Sequence, residues 1–123
     1  MKPLLISLAL SFAGPAWADF ACAFPTMCRG AEACVAGDEA ATLHLGQDGW
    51  VMQRPGLDDL TLSLQPDAGT YFAHVFLGIE GYEDGMDATQ LSIARDGTAF
   101  LTVHSMGYRP EAETLIGRCE VAG

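Results

Sequence analysis

The fold of this chain is decided by the stretch from Leu91 to His104, which reads Leu-Ser-Ile-Ala-Arg-Asp-Gly-Thr-Ala-Phe-Leu-Thr-Val-His. Two runs rich in apolar and β-branched residues flank its Asp96-Gly97 dipeptide. A type I′ turn needs positive φ at both central positions, and Asp-Gly adopts such values at low cost. The stretch therefore predicts a β-hairpin with a type I′ turn.

Two further segments repeat this pattern and raise the number of expected hairpins to three. Asp48-Gly49 separates Leu43 and Leu45 from the run 50–52, and residues 66–69 separate the run 60–64 from residues 71 and 72. Apolar and polar side chains also alternate over 99–104 and near the end of the chain. Such alternation is typical of antiparallel sheets that have one dry face and one wet face.

We therefore expect an all-β fold, an antiparallel meander of about 7 to 8 short strands closed as a small barrel or folded as a sandwich. Residues 20–37 carry Pro25, Gly30 and Gly37, which predicts an irregular stretch after a short first strand at Phe20 to Phe24. The alternative is an α+β fold with one short N-terminal helix near 31–41.

The first eighteen residues have the pattern of a cleaved signal peptide. Lys2 precedes an apolar run from Leu4 to Ala13, and Ala16-Trp17-Ala18 forms an A-x-A cleavage site. An apolar run of about ten residues is too short to span a bilayer of about 30 Å. We expect cleavage after Ala18, a single β domain over residues 19–123, a periplasmic or secreted location, and no membrane insertion of the mature chain.

The composition is strongly acidic. The formal net charge is −10 at pH 7, and loss of Lys2, the only lysine, would leave −11. Binding to phosphates relies on Lys and Arg, so this balance argues against nucleic acid and anionic lipid as partners. Cationic proteins, cations and small neutral ligands stay open, and a high negative charge is also a common solubility device.

Four cysteines, an even number in a small exported domain, predict disulfides. A zinc site is disfavoured because the gaps are wider than the usual C-x2–4-C spacing. Three connectivities are possible, and the local sequence gives a weak preference for one of them. In that pairing Cys28 joins Cys34 as a local clip, and Cys22 joins Cys119, which ties the first strand to the last.

The stretch from Tyr71 to Ile79 is apolar on both faces of a strand. One interpretation is a central strand covered by a loop or by the N-terminal cysteine segment. The other is an exposed patch formed by Phe72 and Phe76 that binds a partner.

An acidic, glycine-containing stretch at 78–88 predicts a solvated loop. Loops longer than ordinary hairpin turns tend to be functional or mobile. We therefore place the candidate binding surface there. Its acidic residues are also of the kind that bind Ca²⁺, although the EF-hand pattern is absent. The candidate binding residues are Glu80, Tyr82, Glu83, Asp84, Met86 and Asp87.

The chain offers little for catalysis. His44, His74 and His104 come from three separate segments, and three imidazoles are able to hold a zinc ion, but no H-x-H or H-E-x-x-H pairing fixes two of them on one element. No serine lies in a G-x-S-x-G motif. We expect no enzymatic activity and no cofactor, with a histidine metal site as the alternative.

The signal, the spacing of Cys22, Cys28 and Cys34, the Asp96-Gly97 hairpin and the closing Gly117-Arg118-Cys119-Glu120 together resemble small exported cysteine-stapled proteins of unknown function from alphaproteobacteria. More loosely, the chain is similar to small periplasmic disulfide-tied β-barrels, which include inhibitors of lysozyme and of secreted proteases. No inhibitory motif of those families matches this sequence, so the second likeness concerns the fold.

These observations predict a monomeric, non-enzymatic binding or inhibitory module for a protein or small ligand. The −11 charge of the mature chain points to a cationic protein as the partner. A metal-binding domain or metalloenzyme that uses the three histidines is the alternative. A purely structural or small-ligand barrel is a third hypothesis.

Overall fold

A computed structural model describes residues 19–83, 85–106 and 111–122 as eight antiparallel strands closed into a barrel in chain order. Each strand pairs with the next, and the first pairs with the last. The all-β prediction is confirmed, the barrel is the form adopted, and the described residues contain no helix. The strands are β1 (Phe20–Arg29), β2 (Val35–Leu45), β3 (Trp50–Gln53), β4 (Leu60–Leu64), β5 (Phe72–Tyr82), β6 (Gly85–Ala94), β7 (Thr98–Met106) and β8 (Glu111–Val121).

The three expected hairpins are present as β2–β3, β4–β5 and β6–β7. The turn prediction at Asp96-Gly97 is wrong in detail, because three residues (95–97) connect β6 to β7. The Gly97 N–H donates to the Ala94 carbonyl at 3.0 Å, and Gly97 has φ 96°. This is the three-residue hairpin loop that ends in a left-handed residue. The Thr98 N–H donates to the Asp96 carboxylate at 2.9 Å, which lowers the pKa of that carboxyl.

The N-terminal segment is more regular than the sequence predicts. β1 runs through Pro25 to Arg29, and no helix forms near 31–41. Pro25 is tolerated because it lies at register shifts in both of the pairings that β1 makes, where a missing N–H breaks no ladder. The irregular stretch is therefore confined to residues 30–34. The proposed signal residues, 1–18, lie outside the described residues.

The structure contains two disulfides, and their pairing is the one that the sequence weakly favoured. Cys22 and Cys119 face each other across β1 and β8 with a Cα–Cα distance of 4.0 Å, and they close the barrel across a sequence separation of 97 residues. Cys28 and Cys34 clip the β1–β2 connection across a separation of 6. β1 and β8 approach closely beside the first disulfide, since a Cβ added at Gly117 would overlap the Ala23 carbonyl oxygen.

Inward side chains fill the middle of the barrel. Leucines from five strands, Phe24 of β1 and Phe76 of β5 are almost fully buried. Near one end lies an aromatic cluster: the rings of Phe20 and Trp50 are tilted with their centroids 5.9 Å apart, and Trp50 packs edge to face on Phe76 with a centroid distance of 5.3 Å. The most deeply buried large side chains are Phe24, Leu43, Leu62, Phe76, Leu91, Leu101 and Leu115.

Both sequence interpretations of the strand from 71 to 79 need correction. Phe76 is fully buried inside the barrel, so it forms no surface patch. The other face of β5 is not covered, because Leu77 and Ile79 are exposed on the outside. The apolar patch on this strand therefore exists, but on the face opposite to the one named.

Candidate functional site

The inward face of the barrel changes from apolar to charged at one end. This end, here called the acidic end, carries the β1–β2 connection, the loop 54–59, the β5–β6 turn and the start of β8. Inward positions continue the alternation of β3, β5 and β6 beyond the core to Arg54, Glu80, Tyr82 and Asp87. These four side chains line a cavity of about 250 Å³.

The cavity has an apolar floor and an acidic rim. Its apolar lining comes from Met52 and Leu60 on the core side, from Val103, and from the exposed Leu57. Three carboxylates, those of Asp58, Glu80 and Asp87, join Arg54 and Tyr82 around it. The pocket thus combines aliphatic contact with an excess of negative charge.

Glu80 and Asp87 are directly paired across β5 and β6. Like charges opposite each other on one face of a sheet are destabilising, so this pair is a local cost to the fold. The Tyr82 hydroxyl donates a hydrogen bond to Asp87, and this contact offsets part of that cost. The same hydrogen bond, together with burial and the two nearby carboxylates, raises the pKa of Tyr82 to about 12.

Arg54 is the positive group of the cavity. Its side chain is 13% exposed, its Nε has no hydrogen-bond partner among the described residues, and its guanidinium lies 3.6 Å from Glu39 Oε1. Arg29 lies at the same end and donates to Glu113 at 2.8 Å, and this hydrogen bond raises the pKa of Arg29. Each arginine described at this end therefore already lies beside a carboxylate.

Charge is distributed unevenly between the two ends of the barrel. At the opposite end, Arg95 and Arg118 hydrogen-bond to the carbonyl oxygens of Thr70 and Asp96 and so fix two turns. The carboxylates described in that half of the barrel are Asp19, Asp48, Asp67, Asp96 and Glu120. Those described in the half that contains the acidic end are Glu32, Asp38, Glu39, Asp58, Asp59, Glu80, Glu83, Asp87, Glu111 and Glu113.

The candidate binding residues do not form a loop. Residues 78–88 belong to the long β5–β6 hairpin, in which Tyr82 pairs with Gly85. The loop prediction is wrong because the acidic residues belong to the strands: β5 and β6 stay paired through Glu80 and Asp87 as far as Tyr82 and Gly85. Glu80, Tyr82 and Asp87 line the cavity, Glu83 lies in the turn, Met86 lies on the outer face beside Met106, and Asp84 is outside the described residues.

The structure does not bring the three histidines together. His44 on β2 and His104 on β7 lie on strand faces opposite to the inward positions, whereas His74 packs inside the barrel with its ring centroid 5.1 Å from that of Phe20. Among the described residues no group of three His, Cys, Asp or Glu side chains has the geometry to hold a metal ion. The metal alternative therefore has no support from the positions of these side chains.

His74 is a half-buried residue on the inward face of β5. Its Nδ1 is buried and has no hydrogen-bond partner among the described residues. Burial lowers the pKa of this imidazole because the charged form loses its hydration.

Arg54 and its neighbour Asp58 are the cavity residues that the sequence did not single out. The available signal was the alternation of Trp50, Met52 and Arg54, which places all three on one face of a strand. Arg54, with a side chain only 13% exposed, is the next inward position after Met52, so the apolar core ends between these two residues.

No protein-family model, curated protein or solved structure matches this chain. Among the described residues no helix is long and apolar enough to cross a membrane.

Proposed function

We propose that this protein is an exported, non-enzymatic binding module that engages a cationic protein at the acidic end of its barrel. The observation that carries the proposal is the cavity rimmed by Asp58, Glu80 and Asp87, at an end where both described arginines already lie beside a carboxylate. A partner that supplies a Lys or Arg side chain neutralises this unbalanced charge.

The shape and lining of the cavity favour an extended basic side chain over a bare cation. Lys and Arg carry an aliphatic stem and a charged head, and they bury the stem along apolar surface. Met52 and Leu60, on the core side of the cavity, offer such a surface. The stem therefore packs on the floor of the cavity while the ammonium or guanidinium group approaches Glu80 and Asp87.

The oxidised cysteines agree with an oxidising compartment, where structural disulfides persist. Together with the signal-like N-terminus, they support the periplasm as the place of action. A binding site dominated by surface charge also implies fast, salt-sensitive association.

The test is calorimetric binding of a tetralysine peptide to the purified protein at about 20 mM and about 150 mM salt. We expect the double variant Glu80→Gln/Asp87→Asn to weaken binding roughly thirtyfold at the lower salt, because two carboxylates that each contribute about 1 kcal/mol at contact in water together contribute about 2 kcal/mol. The matched control, Asp19→Asn/Asp48→Asn, removes the same charge at the opposite end and is expected to change affinity less than twofold.

Two results contradict the proposal. One is binding that does not weaken between the two salt concentrations. The other is an equal loss of affinity in the two double variants, which shows a response to net charge alone and not to the acidic end.

A further inference from the structure

At the acidic end, β2 extends beyond the strand that pairs with it. β2 runs from Val35 to Leu45, whereas its pairing with β3 stops at Thr42 and Gln53. No described strand therefore lies on that side of residues 36–40, although β1 pairs along the same segment on the other side. We call residues 36–40 the free edge of β2.

The sequence after β3 explains why this edge stays unpaired. Residues 54–57 form a tight turn, since the Leu57 N–H donates to the Arg54 carbonyl at 3.1 Å. Proline at the second position and Gly56 at the third, with φ 78°, match a type II turn. In the register of β2 with β3, Pro55 is the residue that would come opposite Ala40, and it has no N–H to donate. The chain therefore turns away from β2 at this level.

The backbone of Ala40 presents a donor and an acceptor to the open side. The Gly46 N–H donates to the Gly49 carbonyl at 2.7 Å, and every second residue of an antiparallel pair is of this hydrogen-bonded kind. Counting back from Gly46, the residues of β2 in the same phase are His44, Thr42 and Ala40. β3 pairs with the first two, and no described strand lies opposite the third.

Ala36, at the other end of the free edge, has the same orientation. The Gly30 N–H donates to the Ala112 carbonyl at 2.7 Å, so the even-numbered residues at this end of β1 bond to β8. The odd-numbered Met27 then bonds to its partner Val35, and Ala36 points to the open side. Main-chain groups are thus offered at both ends of the free edge.

A notch lies between the free edge and the type II turn. Its volume is about 290 Å³, and its lining includes Ala40 and Thr42 on one side and Pro55 on the other. Arg54 lines both this notch and the cavity of the acidic end, so the two spaces adjoin. An extended peptide laid along the free edge fills the notch, and every second side chain of it points toward the barrel interior.

The charges around the notch favour a basic peptide. Asp38 and Glu39 are exposed on the free edge. On the side of the turn, Asp59 accepts a hydrogen bond at 3.3 Å from Gln53, which lines the notch. Arg54 lies 3.6 Å from Glu39 and offsets that one charge. A second copy of this chain would bring its own free-edge carboxylates against these, and such like-charge contacts are destabilising.

We infer that a basic segment of the partner binds in an extended conformation and adds a strand to the free edge of β2. Strand addition takes affinity from main-chain hydrogen bonds and specificity from alternate side chains. A bare cation cannot bond to the N–H and C=O groups of Ala36 and Ala40, whereas a polypeptide backbone can. The inference rests on the proposed function and specifies how the basic partner is held.

The test compares three hexapeptides in calorimetric titrations of the purified protein. The parent is acetyl-Lys-Thr-Lys-Thr-Lys-Thr-amide, and two versions are methylated on the backbone nitrogens of either the lysines or the threonines. Only alternate N–H groups of an added strand face the edge. We therefore expect one methylated version to bind at least tenfold more weakly than the parent and the other to bind within threefold of it. Equal affinities of the two methylated versions overturn the inference, because all three peptides carry the same charge.

A pair of variants tests the edge from the side of the protein. Ala40→Pro removes the edge N–H, and proline is tolerated where that N–H faces solvent. We expect it to weaken binding of the parent peptide at least tenfold, whereas Ala40→Val keeps the N–H and should stay within twofold of the wild type. Circular dichroism checks the barrel, and the methylated peptides decide the question if the proline variant does not fold. Unchanged binding by a folded Ala40→Pro also overturns the inference.

Failure of this inference is distinguishable from failure of the proposed function. If the three peptides bind equally and Glu80→Gln/Asp87→Asn still weakens all of them, strand addition is wrong and recruitment of a basic partner stands. If none of the peptides binds, the proposed function is wrong and the inference fails with it.

Discussion

The two disulfides differ in the length of chain that they close, and removing each one separately tests how the barrel is held shut. The paired substitution Cys22→Ala/Cys119→Ala opens a link across a separation of 97 residues. Cys28→Ala/Cys34→Ala opens a link across only 6. Both variants replace two cysteines by alanines, so each serves as the chemical control for the other.

The expected losses of stability follow from the entropy of loop closure. In the chain-entropy model a separation of 97 corresponds to about 4.7 kcal/mol at 25 °C, and a separation of 6 to about 2.2 kcal/mol. Burial acts in the same direction, because Cys22 and Cys119 lie in the core, whereas Cys34 is exposed. We therefore expect the first variant to lose about 2.5 kcal/mol more than the second.

Equilibrium unfolding in urea, followed by the fluorescence of the buried Trp50, measures the difference. For a domain of this size the slope is about 1 to 2 kcal/mol per molar urea, so the two midpoints should differ by more than about 1 M. Equal midpoints, or a lower midpoint for the Cys28/Cys34 variant, would refute the view that the link between β1 and β8 dominates closure.

Three further predictions concern single side chains. Burial lowers the pKa of His74, so the folded state binds fewer protons than the unfolded state. The free energy of unfolding should therefore fall as pH drops below about 6.5, and His74→Phe should flatten that dependence in urea titrations between about pH 5 and 8. Gly117→Ala should cost about 1 to 3 kcal/mol or more in thermal unfolding because the added Cβ meets the backbone of β1, whereas Gly81→Ala, whose added Cβ has open space, should change stability by less than about 0.5 kcal/mol. Asp87→Ala, which removes the acceptor, should move the pKa of Tyr82 from about 12 back toward 10.0. The ultraviolet difference between proteins with and without Tyr82→Phe measures this titration, and an unchanged midpoint would show that the hydrogen bond to Asp87 is not the cause.

Much of the fold was predictable because its signals are local. The alternation around Asp96-Gly97 and Asp48-Gly49 depends on residues that are neighbours in sequence. The choice between barrel and sandwich was not predictable in this way, since both give the same alternation. Closure depends on the pairing of β1 with β8 across nearly the whole chain, and Cys22 and Cys119 were its one indication.

Local breaker residues misled the prediction at the N-terminus. Pro25 and the glycines around it indicated an irregular stretch, but two strands pair with this segment and a bulge accommodates the proline. The three-residue loop before β7 was missed for a related reason, because Asp-Gly also fits a type I turn that is completed by a left-handed glycine.

The candidate site was predictable in part. The concentration of acidic residues between 80 and 87 identified Glu80 and Asp87 as candidates. Whether these two side chains face inward depends on the register of β5 with its neighbours. Arg54 was missed because a polar residue just before a loop is ordinarily on the surface. Alternation also could not tell which face of β5 is buried, since Phe76 and Leu77 are both apolar.

The central claim is that unbalanced negative charge at one end of a closed barrel recruits a basic partner. The most direct measurement is a titration of the isotopically labelled protein with tetralysine, followed by backbone amide chemical shifts in two-dimensional NMR. Our account predicts that the largest shifts fall on residues that line the cavity, among them Arg54, Glu80 and Asp87, and that amides of the 46–49 turn at the opposite end stay unchanged. Shifts spread evenly over both ends, or centred on Asp48 and Glu120, would contradict it.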